Sequence, residues 1–130
     1  MPHTADVRIE AWAPTRERCV AEAVRGAVET FLDLSSARAT RGHRRRVAAA
    51  SDADLLAAVL DEVIYLLDTS GEVPVDVEVA PADGDLDVRF ATVDVETLAQ
   101  IGAVPKAVSL HELTLESGPD GWSCSVTLDV

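Results

Sequence analysis

The stretch from Ser51 to Gly71 restricts the possible folds more than any other part of the chain. Ser51 with Asp54 is an S-x-x-D capping signal at the head of an apolar run, and Gly71 supplies the stop. Between them Leu56, Val59, Leu60, Val63, Ile64 and Leu67 recur at helical spacing. The face they form is broad, as expected of a helix buried against a sheet and serving as core scaffold. The other segments must supply that sheet.

They have the pattern to do so. Val7, Ile9 and Ala11 alternate with Arg8, Glu10 and Trp12, so residues 5–12 read as a half-buried strand with Asp6 on its polar face. Pro14-Thr15 opens a helix with Thr15 as N-cap and Glu17 in the first turn. Its stripe is Val20, Val24, Ala27, Val28 and Phe31, and it is expected to end near Leu34. A basic strand follows over residues 39–49. Beyond Gly71, Val73, Val75, Val77 and Val79 alternate with polar residues, and Leu86, Val88 and Phe90 repeat the pattern after a turn at Asp83-Gly84. Pro74 belongs at a strand start or on an edge. Residues 94–104 read as one helical turn and a loop ending at Pro105.

The last hairpin pairs residues 106–116 with 121–130. In its second arm Trp122, Cys124, Val126, Leu128 and Val130 point one way, while Ser123, Ser125, Thr127 and Asp129 point the other. The apolar parity of the first arm shifts between Leu110 and Leu113, which a bulge near His111-Glu112 explains. The order β-α-β-α-β-β-β-β predicts an α+β fold. Two helices would cover one face of a mostly antiparallel sheet, in a single domain over residues 1–130.

The chain is 48% hydrophobic but only 4% aromatic, so the core is expected to be Val, Leu and Ala. No apolar run approaches the ~18 residues of a membrane span, and no signal peptide is expected at the N-terminus. Cys19 and Cys124 lack CxxC spacing and read as free, buried, reduced thiols, as in a cytoplasmic protein. Net charge is −12 and unevenly shared: residues 1–50 sum to +3 and residues 51–130 to −15. Such a surface repels phosphate, so sequence-independent nucleic-acid binding by the whole domain is not expected. The local exception, Arg41-Gly42-His43-Arg44-Arg45-Arg46, reads first as a charged strand edge kept from pairing. A contact for a phosphate backbone is the alternative.

No glycine-rich nucleotide loop, G-x-S-x-G elbow or zinc-type His/Cys spacing is present. His43 reads as a hydrogen-bonded structural histidine. Asp61 and Asp68, seven apart on the second helix, read as surface charge. What remains is the pair of chain ends. Asp6 and Asp129 lie on polar faces of the first and last strands, and chain ends often lie close together. If those strands pair, the two carboxylates and the terminal group at Val130 converge, which suits a hard cation. Lys106 also stands out: the one lysine among ten arginines, it is either an ordinary surface residue or a position that needs a compact point charge.

Read together, four fragments resemble the archease family. They are His3-Thr4-Ala5-Asp6-Val7 at the start, the helix from Asp54 to Thr69, Lys106-Ala107-Val108-Ser109-Leu110-His111, and the ending Trp122…Val126-Thr127-Leu128-Asp129-Val130. The resemblance implies a protein that is not itself an enzyme and has no catalytic residues of its own. Archeases activate RtcB-type RNA ligases in tRNA splicing and RNA repair. They promote guanylylation of the ligase and its multiple turnover, while GTP is used by the ligase and RNA is met only through it. The resemblance also implies a divalent-cation site, with calcium the expected ion, made by Asp6, Asp129 and a main-chain oxygen of Val130. It marks His3, Lys106 and His111 as partner or phosphate contacts. The family's glycine after HTADV is Arg8 here, and its Thr-Tyr before the histidine is Ser109-Leu110. Two other readings stand beside it: a metal-independent, chaperone-like binding module, and a small metal-dependent hydrolase using Asp6, Asp61 and His111.

Overall fold

The computed structural model describes residues 6–130, so His3 lies outside the described residues. Eight elements follow in the expected order: β1 (Asp6–Ala13), α1 (Arg16–Glu29), β2 (Arg41–Val47), α2 (Asp52–Ser70), β3 (Glu72–Ala82), β4 (Asp85–Asp94), β5 (Ala107–Gly118) and β6 (Gly121–Asp129). A 3-10 turn at Val95–Thr97 precedes the loop to Pro105. The fold is α+β and every strand pairing is antiparallel, but the strands divide into two three-stranded sheets, ordered β1-β6-β5 and β2-β4-β3. Each sheet is a hairpin to whose second strand an earlier strand has been added. The central strands β4 and β6 are therefore the most buried, with Leu86, Val88, Phe90, Cys124, Val126 and Leu128 in the core.

Local chemistry sets the element ends. The Thr15 and Ser51 hydroxyls accept the main-chain N–H groups of Arg18 and Asp54, capping α1 and α2. Gly71, at φ 63°, closes α2 in the left-handed conformation. The β3–β4 turn has φ 53° at Asp83 and 87° at Gly84, the pair of positive angles a tight hairpin needs. Pro74 lies at a register shift in edge strand β3.

α1 ends earlier than its stripe predicts, at Glu29 rather than near Leu34. The Thr30 hydroxyl donates to the Ala27 carbonyl, Phe31 and Leu32 N–H both donate to Val28 O, and from there the main chain pairs with the loop before β5. Asp33 N–H donates to Ala99 O, and Ile101 N–H donates to Phe31 O. That exchange requires Gly102, where an added Cβ would lie 2.2 Å from the Thr30 carbonyl oxygen. Phe31 and Leu32 still enter the core. α1 packs on β1, β6 and β3, and α2 packs on β5 and β3. Leu55, Leu56, Val59 and Leu60 of α2 are almost fully buried in one contiguous apolar cluster with both sheets.

Candidate functional site

β1 and β6 lie side by side, and their register sets Asp6 directly opposite Asp129. Residues paired in this way project to the same face with Cβ atoms about 5 Å apart. Asp6 is exposed, whereas Asp129 and Val130 are half-buried. On its other side Asp129 faces Ala107 of β5, and its carbonyl accepts the Lys106 N–H at 2.7 Å. Asp129 is thus held from both flanks by main-chain pairing, with its carboxylate left to project. Among the described residues neither Asp6 nor Asp129 has a salt-bridge partner, although the two are like charges in register.

This donor set suits a hard divalent ion: two carboxylates whose mutual repulsion a cation relieves, with a main-chain oxygen of Val130 next in sequence. It supplies only part of a coordination shell. Among the described residues no three His, Cys, Asp or Glu side chains gather closely enough to hold a metal by themselves. The same fact corrects the hydrolase reading, which needed Asp6, Asp61 and His111 to converge. Asp61 belongs to α2, where partial burial and then the neighbouring Glu62 push its carboxyl upward. His111 is exposed on β5, with Nε2 3.5 Å from a Glu112 carboxylate oxygen. Lys106 is also exposed, and its structural tie is the main-chain bond to Asp129.

The bulge expected near His111-Glu112 is present. Ser109 pairs with Thr127 and Thr114 with Ser125, so β5 accommodates three extra residues, and Glu112 adopts φ 56°. The bulge carries the Glu112 carboxylate back toward β1, where Arg8 donates to it at 3.2 Å and to Glu10 at 3.3 Å. The long cation that replaces a glycine beside the proposed ion site is therefore engaged away from Asp6.

As the sequence suggests, the basic strand β2 is a charged edge strand, at one end of the order β2-β4-β3, and its arginines meet carboxylates of this chain. Arg44 makes two bonds to Asp87, at 2.9 and 2.6 Å, while Arg45 reaches Glu62 and Arg46 reaches Asp85. Arg41 joins Asp94 and Glu72. The positive first half of the sequence is thus stitched to the acidic second half.

One constellation gave no sequence signal. Glu72, buried at the start of β3, accepts at one carboxylate oxygen from the Thr92 hydroxyl (2.6 Å), His43 Nε2 (2.8 Å) and Arg41 Nε (3.2 Å). An ionised carboxylate only accepts, so His43 must carry its proton on Nε2. The Thr92 bond first, then His43 and Arg41, hold the Glu72 carboxyl down at about 2 against the opposing effect of burial. His43 is structural, as expected. Its partner was not legible, because Glu72 lies 29 residues away and looks like any residue after a helix stop.

Comparison with known proteins agrees with this architecture. The archease protein family matches residues 1–130. The probable protein archease of Mycobacterium tuberculosis is 62% identical over 130 residues, covering all of this chain and 73% of that protein. Two solved structures share the fold. The crystal structure of an archease and possible chaperone from Thermotoga maritima superposes with a TM-score of 0.72 at 20% identity, covering 100% of this chain and 94% of the other. The solution structure of Methanobacterium thermoautotrophicum protein 1598 gives 0.77 at 21% identity, covering 100% and 96%. With a family match over its full length and a relative this similar, the chain belongs to the archease family.

Proposed function

We propose that this protein activates an RtcB-type RNA ligase, promoting its guanylylation and turnover in tRNA splicing or RNA repair, and that it works in the cytoplasm. The observation that carries the reading is the register pair Asp6 and Asp129, an acidic tip built from opposite ends of the chain. When bound there, a divalent cation such as calcium would supply positive charge at a surface that otherwise repels nucleotide phosphate. The chain's own contribution is positional. The β1–β6 ladder fixes the spacing of the two carboxylates, the Lys106–Asp129 bond fixes the end of β6, and a Val130 oxygen completes the protein donors. Lys106 and His111 are exposed beside this end of the sheet and are free to meet a ligase carboxylate or phosphate.

The test is a guanylylation time course of an RtcB-type ligase with GTP and substoichiometric amounts of this protein. Asp6→Ala and Asp129→Ala should each abolish stimulation while retaining the wild-type circular dichroism spectrum. Full stimulation by both variants would remove the mechanism. The name "possible chaperone" given to the Thermotoga protein keeps a second reading in view, a binding module that needs no metal. Stimulation that survives chelation of all divalent ions outside the ligase would favour that reading.

A further inference from the structure

The outer face of the β1-β6-β5 sheet forms a trough that the terminal carboxylate pair does not use. Two register rows cross it: Trp12–Ser123–Glu116, and Glu10–Ser125–Thr114. The central strand contributes short hydroxyl side chains as the floor, while long side chains on the flanking strands form the walls. Strands lie about 4.8 Å apart, so the Trp12 and Glu116 positions are about 10 Å apart, wide enough for a flat group between them. A notch of about 260 Å³ opens there, closed at its end by the β5–β6 turn. Both tryptophans of the chain line it, and Trp12 is 69% exposed. The turn wall is fixed, because Gly121 at φ 116° packs so close to β1 that an added Cβ would lie 2.7 Å from Ala13 O.

One further observation points to the occupant's charge. Glu116 and Asp120, both lining the notch, form no salt bridge among the described residues, whereas Glu10 and Glu112 are already taken by Arg8. The unmet charge is therefore negative, and it lies beside an open indole.

We propose that this trough docks an extended, arginine-bearing segment of a protein partner, with one guanidinium seated between the Trp12 indole and the Glu116 and Asp120 carboxylates. A guanidinium matches all three, by stacking on the ring and by donating to the carboxylates. Phosphate-bearing ligands are repelled by the same carboxylates. The notch lies seven residues along β6 from Asp129, about 23 Å away, so it is separate from the Asp6–Asp129 carboxylate pair.

The test titrates the isotope-labelled full chain with acetyl-Gly-Arg-Gly-Arg-Gly-amide at physiological ionic strength, followed by NMR. The expected first shifts are the Trp12 indole N–H and the Ser123 and Ser125 amides. Trp12→Ala and Glu116→Gln should each weaken binding about tenfold while leaving the melting midpoint in place, as for an exposed anchor residue. Asp83→Asn, at the far hairpin, should leave binding unchanged, which separates a seated guanidinium from diffuse attraction to a protein of net charge −12. Absence of shifts at millimolar peptide, shifts confined to other surfaces, or equal losses in Asp83→Asn and Glu116→Gln would each overturn the proposal.

Discussion

Replacing Asp6 by Asn should produce opposite effects with and without calcium. The carboxylates of Asp6 and Asp129 face each other in register without a cationic partner among the described residues. Like charges directly opposite on neighbouring strands cost about 0.2–1 kcal/mol. In chelator the isosteric Asn therefore removes a repulsion and should raise the melting midpoint by about 1–4 °C, at roughly 3–4 °C per kcal/mol for a domain of this size. Calcium at a hundredfold excess over its dissociation constant should add about 2.7 kcal/mol to the wild type, a rise of about 8–11 °C. A variant lacking one of the two carboxylates should lose most of that gain, because ligand charge governs affinity for hard cations. The two melting curves therefore exchange order as calcium is added. Scanning calorimetry with chelator and then with calcium reads both effects, with Asp68→Asn as a control for nonspecific ion binding. The reasoning fails if Asp6→Asn melts below the wild type in chelator, or if calcium shifts both proteins equally.

Glu72→Gln should flatten the acid limb of the stability–pH curve. Because the folded-state carboxyl is held at about 2, below its ordinary value of 4.5, its contribution is present above pH 4.5 and is lost as pH falls toward 2. Urea midpoints measured across that window should converge for the two proteins at the acid end, and parallel curves would refute the assignment. Gly102→Ala should lower the urea midpoint by an amount equivalent to about 1–3 kcal/mol, because its Cβ is driven against the Thr30 carbonyl and the 31–33 segment must part from the loop. An unchanged midpoint would show that this contact is not needed.

Local signals were legible in the sequence wherever one residue type dictates one backbone state. Thr15, Ser51, Gly71 and Asp83-Gly84 fall where their cap and turn chemistry places them. The parity slip between Leu110 and Leu113 marks a real bulge. The misreading of the first helix has a tertiary cause. Phe31 and Leu32 continue the apolar stripe and are buried as the stripe requires, but their main chain pairs with residues 99–101, about seventy positions away. Periodicity reports which side chains are buried and says nothing of which backbone satisfies which. The division into two sheets escaped for the same reason, since each strand's pattern is identical whether six strands share one sheet or two.

The charge distribution carries the same lesson to the candidate site. An excess of arginine in one segment and of carboxylate in another reads, along a line, as two surfaces with two kinds of partner. In the fold, β2 lies beside β4, and Arg44 and Arg46 find their acids across one strand pair and its hairpin. What matters for recognition is therefore the residue left after internal pairing, not the total. Arg8 and the arginines of β2 have found carboxylates, while Asp6, Asp129, Glu116 and Asp120 have no salt-bridge partner among the described residues. Two of these mark the acidic tip at the strand ends, and the other two mark the notch beside Trp12. Other acids, Glu22, Asp68 and Glu78 among them, are likewise without a salt-bridge partner among the described residues, so it is their setting that distinguishes these four: a register pair at the strand ends and a notch beside an exposed indole, the places at which an ion and an arginine side chain are proposed.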